Sequence, residues 1–292
     1  MDRYQDALAS SAVLSNDAAV AEEVKKIVSH SAKYETEETY RFLFSSIDLT
    51  TLSTEDSQRS VAAFTQRVND FDNDHPDIKN VAAICVYSNF AEVVKTNLDV
   101  PGVDIAVVAG GFPSSQTFTS VKIADVALAV ADGATEVDVV MNVGMFLDGN
   151  FEDLTDELIE MKHNMKGARM KVILETGALK TAEAIKRASV LSLYSDADFI
   201  KTSTGKIYPG ASLEAAWVMC KCIREYYDRT GRKVGFKAAG GVRTPEDAVK
   251  YYAIVKEVLG DEWLCHDLFR IGASSLANAI LAKITGTDEN YF

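Results

Sequence analysis

The sequence is poor in the residues from which most metal and disulfide sites are built. Its 292 residues include only 4 histidines and 4 cysteines, the latter being Cys85, Cys220, Cys222 and Cys265. The cysteines form no CxxC pair and no dense framework, which argues against a structural zinc and favours a reducing compartment. The histidines lie in segments that read as helices or loops, so a zinc or Ser-His mechanism lacks its parts. We therefore predict no metal site.

Positive charge and long apolar runs are also scarce. The chain has 30 Lys and Arg against 43 Asp and Glu, a formal net charge of −13, whereas nucleic-acid binding needs a basic surface that replaces counterions. No apolar run approaches the roughly 20 residues that span a bilayer. The start, "MDRYQDALASSAVLSNDAAV", lacks the apolar core of a signal peptide and carries acids too early for a transit peptide. We expect a cytoplasmic protein that binds neither nucleic acid nor membranes, although a few lysines focused in a cleft could still bind a small anion.

What the sequence does have is a regular alternation of short apolar runs and longer segments with helical periodicity. Eight runs are predicted as strands: 45–49, 81–87, 104–109, 136–141, 170–176, 198–202, 234–239 and 268–272. They are nearly continuous in apolar residues, which is typical of parallel strands covered by helices. A doubly wound sheet would normally show a Gly-rich turn after its first strand, and "SSIDLTTLSTED" has none. Eight such units in about 250 residues instead predict an α/β fold of the (β/α)8 TIM-barrel type.

A helical segment precedes this alternation. The stretch "SNDAAVAEEVKKIV" offers Ser15 or Asn16 as an N-cap before an amphipathic run. We therefore predict two parts, an N-terminal helical extension over residues 1–40 and a barrel catalytic domain over residues 41–292.

Three charged residues, Asp138, Lys201 and Lys237, lie within predicted strands near their carboxyl ends, where the active sites of such barrels form. A lysine attacks a carbonyl only as the neutral amine, so an enzyme must lower its pKa by burial or a nearby cation. Lys201 and Lys237 lie on consecutive strands, which are about 4.8 Å apart when paired. Each ammonium group would therefore disfavour the charge of the other.

The simpler interpretation of Lys201 is an ion pair at a strand end, with Asp138 as its partner. For a single lysine this would be the better interpretation. Two lysines on consecutive strands, with a carboxylate that can shuttle protons or orient a lysine, favour catalysis.

The loops after the seventh and eighth predicted strands have the features of an anion site. Glycines and serines follow both strands: Gly240, Gly241, Gly272, Ser274 and Ser275. Phosphate sites in such barrels use glycine amides and a helix N-terminus in these two loops. Lys206, within "STGK" of the sixth loop, adds a point charge. Glycine after a strand is usually turn chemistry, but both loops together predict phosphate binding.

Two further residues have open roles. Cys85, within "AAICVY", is more typical of a small core residue than of a nucleophile, because no histidine lies near it in sequence. Glu175, within "ILETG", is either an ion-pair partner in the site or a structural carboxylate at the barrel mouth.

Seven motifs resemble, in order along the chain, those of the deoxyribose-phosphate aldolases, which are class I (Schiff-base) aldolases: "DLTTL", "AAICVY", "EVDVVMNVG", "VILETG", "FIKTSTGK", "GFKAAGGVRT" and "RIGASS". The resemblance runs from about Asp48 to the end of the chain. It implies a barrel lyase that reversibly cleaves 2-deoxy-D-ribose 5-phosphate to D-glyceraldehyde 3-phosphate and acetaldehyde. No cofactor is expected, because the imine itself stabilises the carbanion.

The resemblance also implies residue roles. Lys201 would form the Schiff base, Lys237 would lower its pKa, and Asp138 would relay protons. The phosphate would be held by Gly205, Lys206, Gly240, Gly241, Gly272, Ser274 and Ser275, while Asp48 and Thr202 would touch the substrate or support the lysines. The family often has proline after the second lysine; Ala238 stands there in this chain, which leaves the lysine intact and loosens only the local backbone.

The expected partners are the small phosphorylated sugar and aldehyde substrates. Barrel enzymes of this kind are often homodimers, although the sequence identifies no interface. Two alternatives stay open: another phosphosugar-barrel enzyme, such as an isomerase or a transaldolase-like enzyme, and a non-catalytic phosphosugar-binding protein.

Overall fold

The computed structural model describes residues 3–288 and 290–292 of the chain. Eight parallel strands close into a barrel in chain order, with the last strand paired to the first. The strands are β1 (Ile47–Thr50), β2 (Ala83–Tyr87), β3 (Asp104–Ala109), β4 (Glu136–Val140), β5 (Arg169–Ile173), β6 (Phe199–Lys201), β7 (Gly235–Ala239) and β8 (Phe269–Ala273). This architecture confirms the predicted (β/α)8 barrel.

Helices separate every pair of strands, as a parallel barrel requires. In the described residues the α-helices are α1 (Arg3–Ser10), α2 (Asp17–Val28), α3 (Glu37–Phe44), α4 (Gln58–Asp74), α5 (Ala91–Asn97), α6 (Thr119–Ala131), α7 (Val143–Leu147), α8 (Phe151–Asn164), α9 (Thr176–Leu179), α10 (Ala182–Leu193), α11 (Leu213–Thr230), α12 (Pro245–Leu259) and α13 (Ser275–Thr285). Short 3-10 helices occur at Ser31–Tyr34, Ser88–Phe90 and Asp261–Trp263.

Seven of the eight predicted strands differ from the structure by one to three residues at one end or both, and two of these differences have clear local reasons. The first begins at Ile47 rather than at residue 45, because the hydroxyls of Ser45 and Ser46 both donate to the carbonyl of Phe42 and so continue the end of α3. The fifth stops at Ile173 rather than at residue 176, because Glu175 adopts the left-handed conformation with φ 52° and so leaves the extended backbone of the sheet.

The buried apolar side chains form two clusters. Most buried apolar side chains lie between the strands and the surrounding helices, whereas a small separate cluster of Ala83, Cys85, Ala106 and Val108 lies on β2 and β3. Residues alternate between the inside and outside of a barrel along each strand. The inside is therefore apolar on the side of β2 and β3, and the buried charges described below occupy the rest of it.

The helices before β1 pack on the outside of the barrel. Asn16 caps α2 by accepting a hydrogen bond from the amide of Ala19, and α2 lies against α11 and α12. The next helix, α3, runs through residue 40 to Phe44 and packs on α13. Because α3 crosses the predicted boundary at residue 40, the helical layer around the barrel includes residues from both predicted parts. Within residues 3–288 and 290–292, no helix has the length and apolar character needed to cross a membrane.

Candidate active site

The register of the sheet brings the two lysines together. Lys201 on β6 pairs directly with Lys237 on β7, so both side chains leave the same level of the barrel. Asp138, from β4, lies across from them. The Nζ atoms of Lys201 and Lys237 both donate to its Oδ2 atom, each at 2.7 Å. Lys201 therefore does form the ion pair of the simpler interpretation, but it shares the carboxylate with a second lysine.

Burial distinguishes this cluster from an ordinary surface ion pair. Lys237 and Asp138 are fully buried, and Lys201 is only 4% exposed. Burial is the largest influence on Lys201 and lowers its pKa below the ordinary value; the charge of Lys237 lowers it further, while Asp138 acts in the opposite sense. The net effect makes Lys201 lose its proton more readily than an ordinary lysine.

The partners of Lys201 keep their charges. Burial alone would lower the pKa of Lys237, but the carboxylates of Asp138 and Asp48 outweigh it and hold that pKa above its ordinary value. In the same way burial would raise the pKa of Asp138, and the ammonium groups of Lys171, Lys201 and Lys237 hold it below its usual range. The site thus combines a lysine that loses its proton more readily than an ordinary one with an ammonium group and a carboxylate that are both ionised in the absence of substrate.

Asp48 and Thr202 lie beside the lysines rather than in the open pocket. The fully buried Oδ2 of Asp48 accepts hydrogen bonds from Lys237 and, at 3.1 Å, from Lys171. The hydroxyl of Thr202 donates to the carbonyl of Ala239 at 3.0 Å and accepts from the amide of the same residue at 2.9 Å. Asp48 is therefore placed to hold the lysines, and Thr202 to fasten β6 to β7.

A layer of charged residues beneath this cluster was not predicted from the sequence. Glu136, Lys171 and Arg270 are all fully buried inside the barrel. Lys171 donates to Glu136 and lies 3.2 Å from Oδ1 of Asp138, and Arg270 donates to Asp48 at 2.6 Å and to Glu136 at 2.9 Å. The available signal was a charged residue inside each apolar run: "EVDVVM", "MKVILET" and "LFRIG".

Next to Lys201 a pocket of about 290 Å³ opens at the carboxyl ends of β6, β7 and β8. It is lined by all of the predicted phosphate contacts, namely Gly205, Lys206, Gly240, Gly241, Gly272, Ser274 and Ser275, and by Lys201 itself. Arg243 also lines it; it was missed, although it follows the two glycines in "GGVR". The pocket therefore has two cations, glycine amides and the first residue of α13 beside the amine of Lys201.

Glycines let the loops after β6 and β7 meet at this pocket. A Cβ atom on Gly210 would lie 2.0 Å from the carbonyl oxygen of Gly240, a contact that no side chain can make. Gly240 itself has φ 85°, in the left-handed region that favours glycine. The shape of the pocket thus depends on these two residues having no side chain.

Glu175 belongs to the framework of the pocket. It is 4% exposed, and its carboxylate accepts hydrogen bonds from the Thr204 hydroxyl at 2.5 Å and the Thr204 amide at 3.2 Å. The Thr204 hydroxyl in turn accepts from the amide of Lys206 at 3.2 Å. Of the two roles left open by the sequence, the structure thus favours the structural carboxylate, which fixes the loop that carries Lys206.

Cys85 lies inside the barrel within the small apolar cluster. Burial raises the pKa of its thiol, so the neutral form is favoured and a thiolate nucleophile is not.

Comparison of this chain with known proteins agrees with the site geometry. The profile of a family described as "DeoC/LacD family aldolase" matches residues 43–281. A Caenorhabditis elegans relative is 42% identical over 265 residues, which cover 90% of this chain and 87% of that protein. The deoxyribose-phosphate aldolase of Mus musculus is 42% identical over 249 residues, covering 82% of this chain and 78% of the mouse protein.

Solved structures share the fold. The aldolase QR15 is 28% identical with a TM-score of 0.68, covering 82% of this chain and 96% of its own. The tetrameric deoxyribose phosphate aldolase of Aeropyrum pernix is 23% identical with a TM-score of 0.67, over 89% of this chain and 98% of that one. At such low identity the second comparison supports the barrel alone.

Proposed function

This chain belongs to the DeoC/LacD family of aldolases, and from this premise we propose that it reversibly cleaves 2-deoxy-D-ribose 5-phosphate to D-glyceraldehyde 3-phosphate and acetaldehyde. Lys201 is the nucleophile of the proposed reaction. One observation carries the proposal: a buried lysine with a lowered pKa shares the buried carboxylate of Asp138 with a second lysine and also lines a cationic pocket.

The first step is formation of the imine. Neutral Lys201 attacks the C1 aldehyde of the open-chain sugar, and loss of water gives a protonated imine. Asp138 accepts hydrogen bonds from both lysines through Oδ2, so it orients the amine. Its Oδ1 atom faces the ammonium group of Lys171 at 3.2 Å, and we assign the carboxylate the task of taking a proton from the substrate or from a water between them.

The second step breaks the C2–C3 bond. The C3 hydroxyl gives up its proton toward Asp138, the C–O bond becomes a carbonyl, and the C2–C3 electron pair moves into the new C1–C2 double bond. The imine nitrogen thereby becomes a neutral enamine, and D-glyceraldehyde 3-phosphate leaves. Protonation at C2 and hydrolysis then release acetaldehyde and return neutral Lys201.

The phosphate pocket orients the substrate for this chemistry. Lys206 and Arg243 supply charge, while the loop amides and the first turn of α13 supply hydrogen-bond donors. Contacts remote from the reacting bond hold C1 against the amine and reduce the entropy lost in the transition state.

Product analysis tests the proposal. Purified protein incubated with 2-deoxy-D-ribose 5-phosphate should release acetaldehyde and glyceraldehyde 3-phosphate in equal amounts, and Lys201→Arg, which keeps the positive charge, should release neither. Lys250→Arg on the outer helix α12 serves as the matched control and should behave as the wild type. Conversion of the sugar without acetaldehyde would indicate an isomerase, and binding without conversion would indicate a binding protein; either result overturns the proposal.

Two further features accompany this function. The free thiols of Cys85, Cys220, Cys222 and Cys265 support a reducing compartment, and we assign the chain to the cytoplasm on that basis. We also keep the homodimer as a prediction, which sedimentation analysis tests directly.

A further inference from the structure

Buried charge surrounds Lys201 from nearly every strand. The titratable and charged groups facing the interior or the mouth, among the described residues, are Asp48 on β1, Cys85 on β2, Glu136 and Asp138 on β4, Lys171 on β5, Lys237 on β7, Arg270 on β8, and Glu175, Lys206 and Arg243 at the pocket. At the edge of the barrel, Asp104 on β3 and Arg169 on β5 face each other at 3.6 Å. Cys85 adds no charge, because burial raises the pKa of its thiol.

The fully buried charges inside the barrel balance without Lys201. Three are carboxylates (Asp48, Glu136 and Asp138) and three are cations (Lys171, Lys237 and Arg270), so their formal sum is zero. The Asp104 and Arg169 pair at the edge adds one charge of each sign and leaves the sum unchanged. Protonation of Lys201 would therefore place one excess positive charge in the interior. An uncompensated buried charge is costly, and a titratable group responds by becoming neutral.

Glu136, Lys171 and Arg270 form a lower layer of charges, which direct contacts connect to Lys201 and Lys237. Lys171 donates to both Glu136 and Asp48, and Arg270 donates to the same two carboxylates. Asp48 then passes the connection to Lys237, which shares Asp138 with Lys201. A change of charge in the lower layer therefore reaches Lys201 through an unbroken chain of buried hydrogen bonds.

We propose that Glu136, Lys171 and Arg270 are positioning residues that keep Lys201 neutral and ready to attack a carbonyl, by balancing the buried charge beneath it. The inference rests on the proposed function and deepens it. None of the three lines the substrate pocket, so each acts through Asp48, Lys237 and Asp138.

The bond-breaking step moves charge within the site without changing its sum. The protonated imine on Lys201 carries the excess positive charge, and cleavage of the C2–C3 bond converts it to the neutral enamine. The electron pair that neutralises the nitrogen comes from the breaking bond, and the proton of the C3 hydroxyl leaves toward Asp138. Because that proton stays on Asp138, the net buried charge is the same before and after the bond breaks, and the charge balance acts on the attack by neutral Lys201 rather than on this step.

Two substitutions that remove buried charges of opposite sign test the proposal. Glu136→Gln removes an anion and should move the acid limb of the kcat/KM profile to lower pH, because the neutral amine becomes still more favoured. Arg270→Gln removes a cation and should move it to higher pH. A buried unit charge acting through an effective dielectric constant near 20 gives shifts of about one pH unit. The double variant restores the balance and should return the limb close to the wild-type position.

A matched control separates charge balance from general destabilisation. Glu157 is likewise a buried carboxylate, paired with buried Lys122 at 2.6 Å, but this pair lies between α6 and α8, outside the barrel interior. Glu157→Gln should lower thermal stability and leave the limb in place. If Arg270→Gln does not fold, Lys171→Gln removes a cation from the same layer and takes its place.

Trapping the imine separates a failure of the charge-balance inference from a failure of the proposed function. Borohydride reduction in the presence of acetaldehyde should label Lys201 in the wild type and in each folded variant. Shifts of the same sign for Glu136→Gln and Arg270→Gln, or no shifts, with labelling of Lys201 intact, overturn the inference and leave the proposed function standing. Failure to label Lys201 in the wild type overturns the proposed function itself.

Discussion

Replacing Lys206 by methionine should separate phosphate binding from imine chemistry. The side chain is exposed on the loop after β6, and its Nζ donates to the carbonyl of Leu52 at the wall of the pocket. Among the described residues, its amine bonds to this carbonyl and not to the buried cluster around Lys201. Lys206→Met therefore removes one cation from the pocket and leaves the nucleophile as it is.

The size of the effect follows from the interaction that is lost. A hydrogen bond to a charged group contributes about 1.5–3 kcal/mol, and each 1.36 kcal/mol corresponds to a factor of ten. The KM for 2-deoxy-D-ribose 5-phosphate should thus rise about 10- to 150-fold. Because the phosphate contact is the same before and during the reaction, kcat should change little.

The assay compares two substrates. For unphosphorylated 2-deoxy-D-ribose, which cannot use the contact, kcat/KM of Lys206→Met should equal that of the wild type. Arg243→Met, at the second cation of the pocket, should show the same selectivity, and Lys250→Met on α12 should show none. An equal loss on both substrates, or a collapse of kcat on the phosphorylated one, would refute the reasoning that places phosphate at Lys206.

Three other outcomes are expected. Glu175→Gln weakens the hold on Thr204, so KM for the phosphorylated sugar should rise about tenfold, corresponding to about 1.4 kcal/mol; an unchanged KM would contradict the framework role. Gly210→Ala places a Cβ atom 2.0 Å from the Gly240 carbonyl oxygen, and steady-state kinetics should show a higher KM, with a lower melting temperature. Burial lowers the pKa of Lys201, so activity should persist as pH falls below the ordinary lysine value of about 10.4 and should fall only as pH drops through the lowered pKa. An acid limb of the pH–rate profile at about 10.4 would contradict this.

The arrangement of the barrel was predictable because its signal is local. Continuous apolar runs indicate parallel strands whatever the rest of the chain does, and the eight runs appear as the eight strands. Lys201 and Lys237 stood out for the same reason, since a lysine within an apolar strand is unusual. The structure adds their direct pairing in the sheet.

The lower charge layer was harder to predict, because it depends on contacts between strands far apart in sequence. Glu136 and Arg270 lie near the starts of their strands, where a charge also suits an exposed barrel rim. Only the closed barrel brings Arg270 within 2.9 Å of Glu136, 134 residues away in the chain. Glu175 was ambiguous for a similar reason, since its role depends on a left-handed backbone and on Thr204 of the next loop.

The identity of the nucleophile is tested most directly by trapping it. Protein incubated with acetaldehyde and borohydride, then digested and mapped by mass spectrometry, should carry an ethyl adduct on Lys201. Lys237, which is held as the ammonium by Asp138 and Asp48, should stay unlabelled, as should the buried Lys171. An adduct confined to Lys237, or no adduct at all, would contradict the assignment of Lys201 as the Schiff-base lysine.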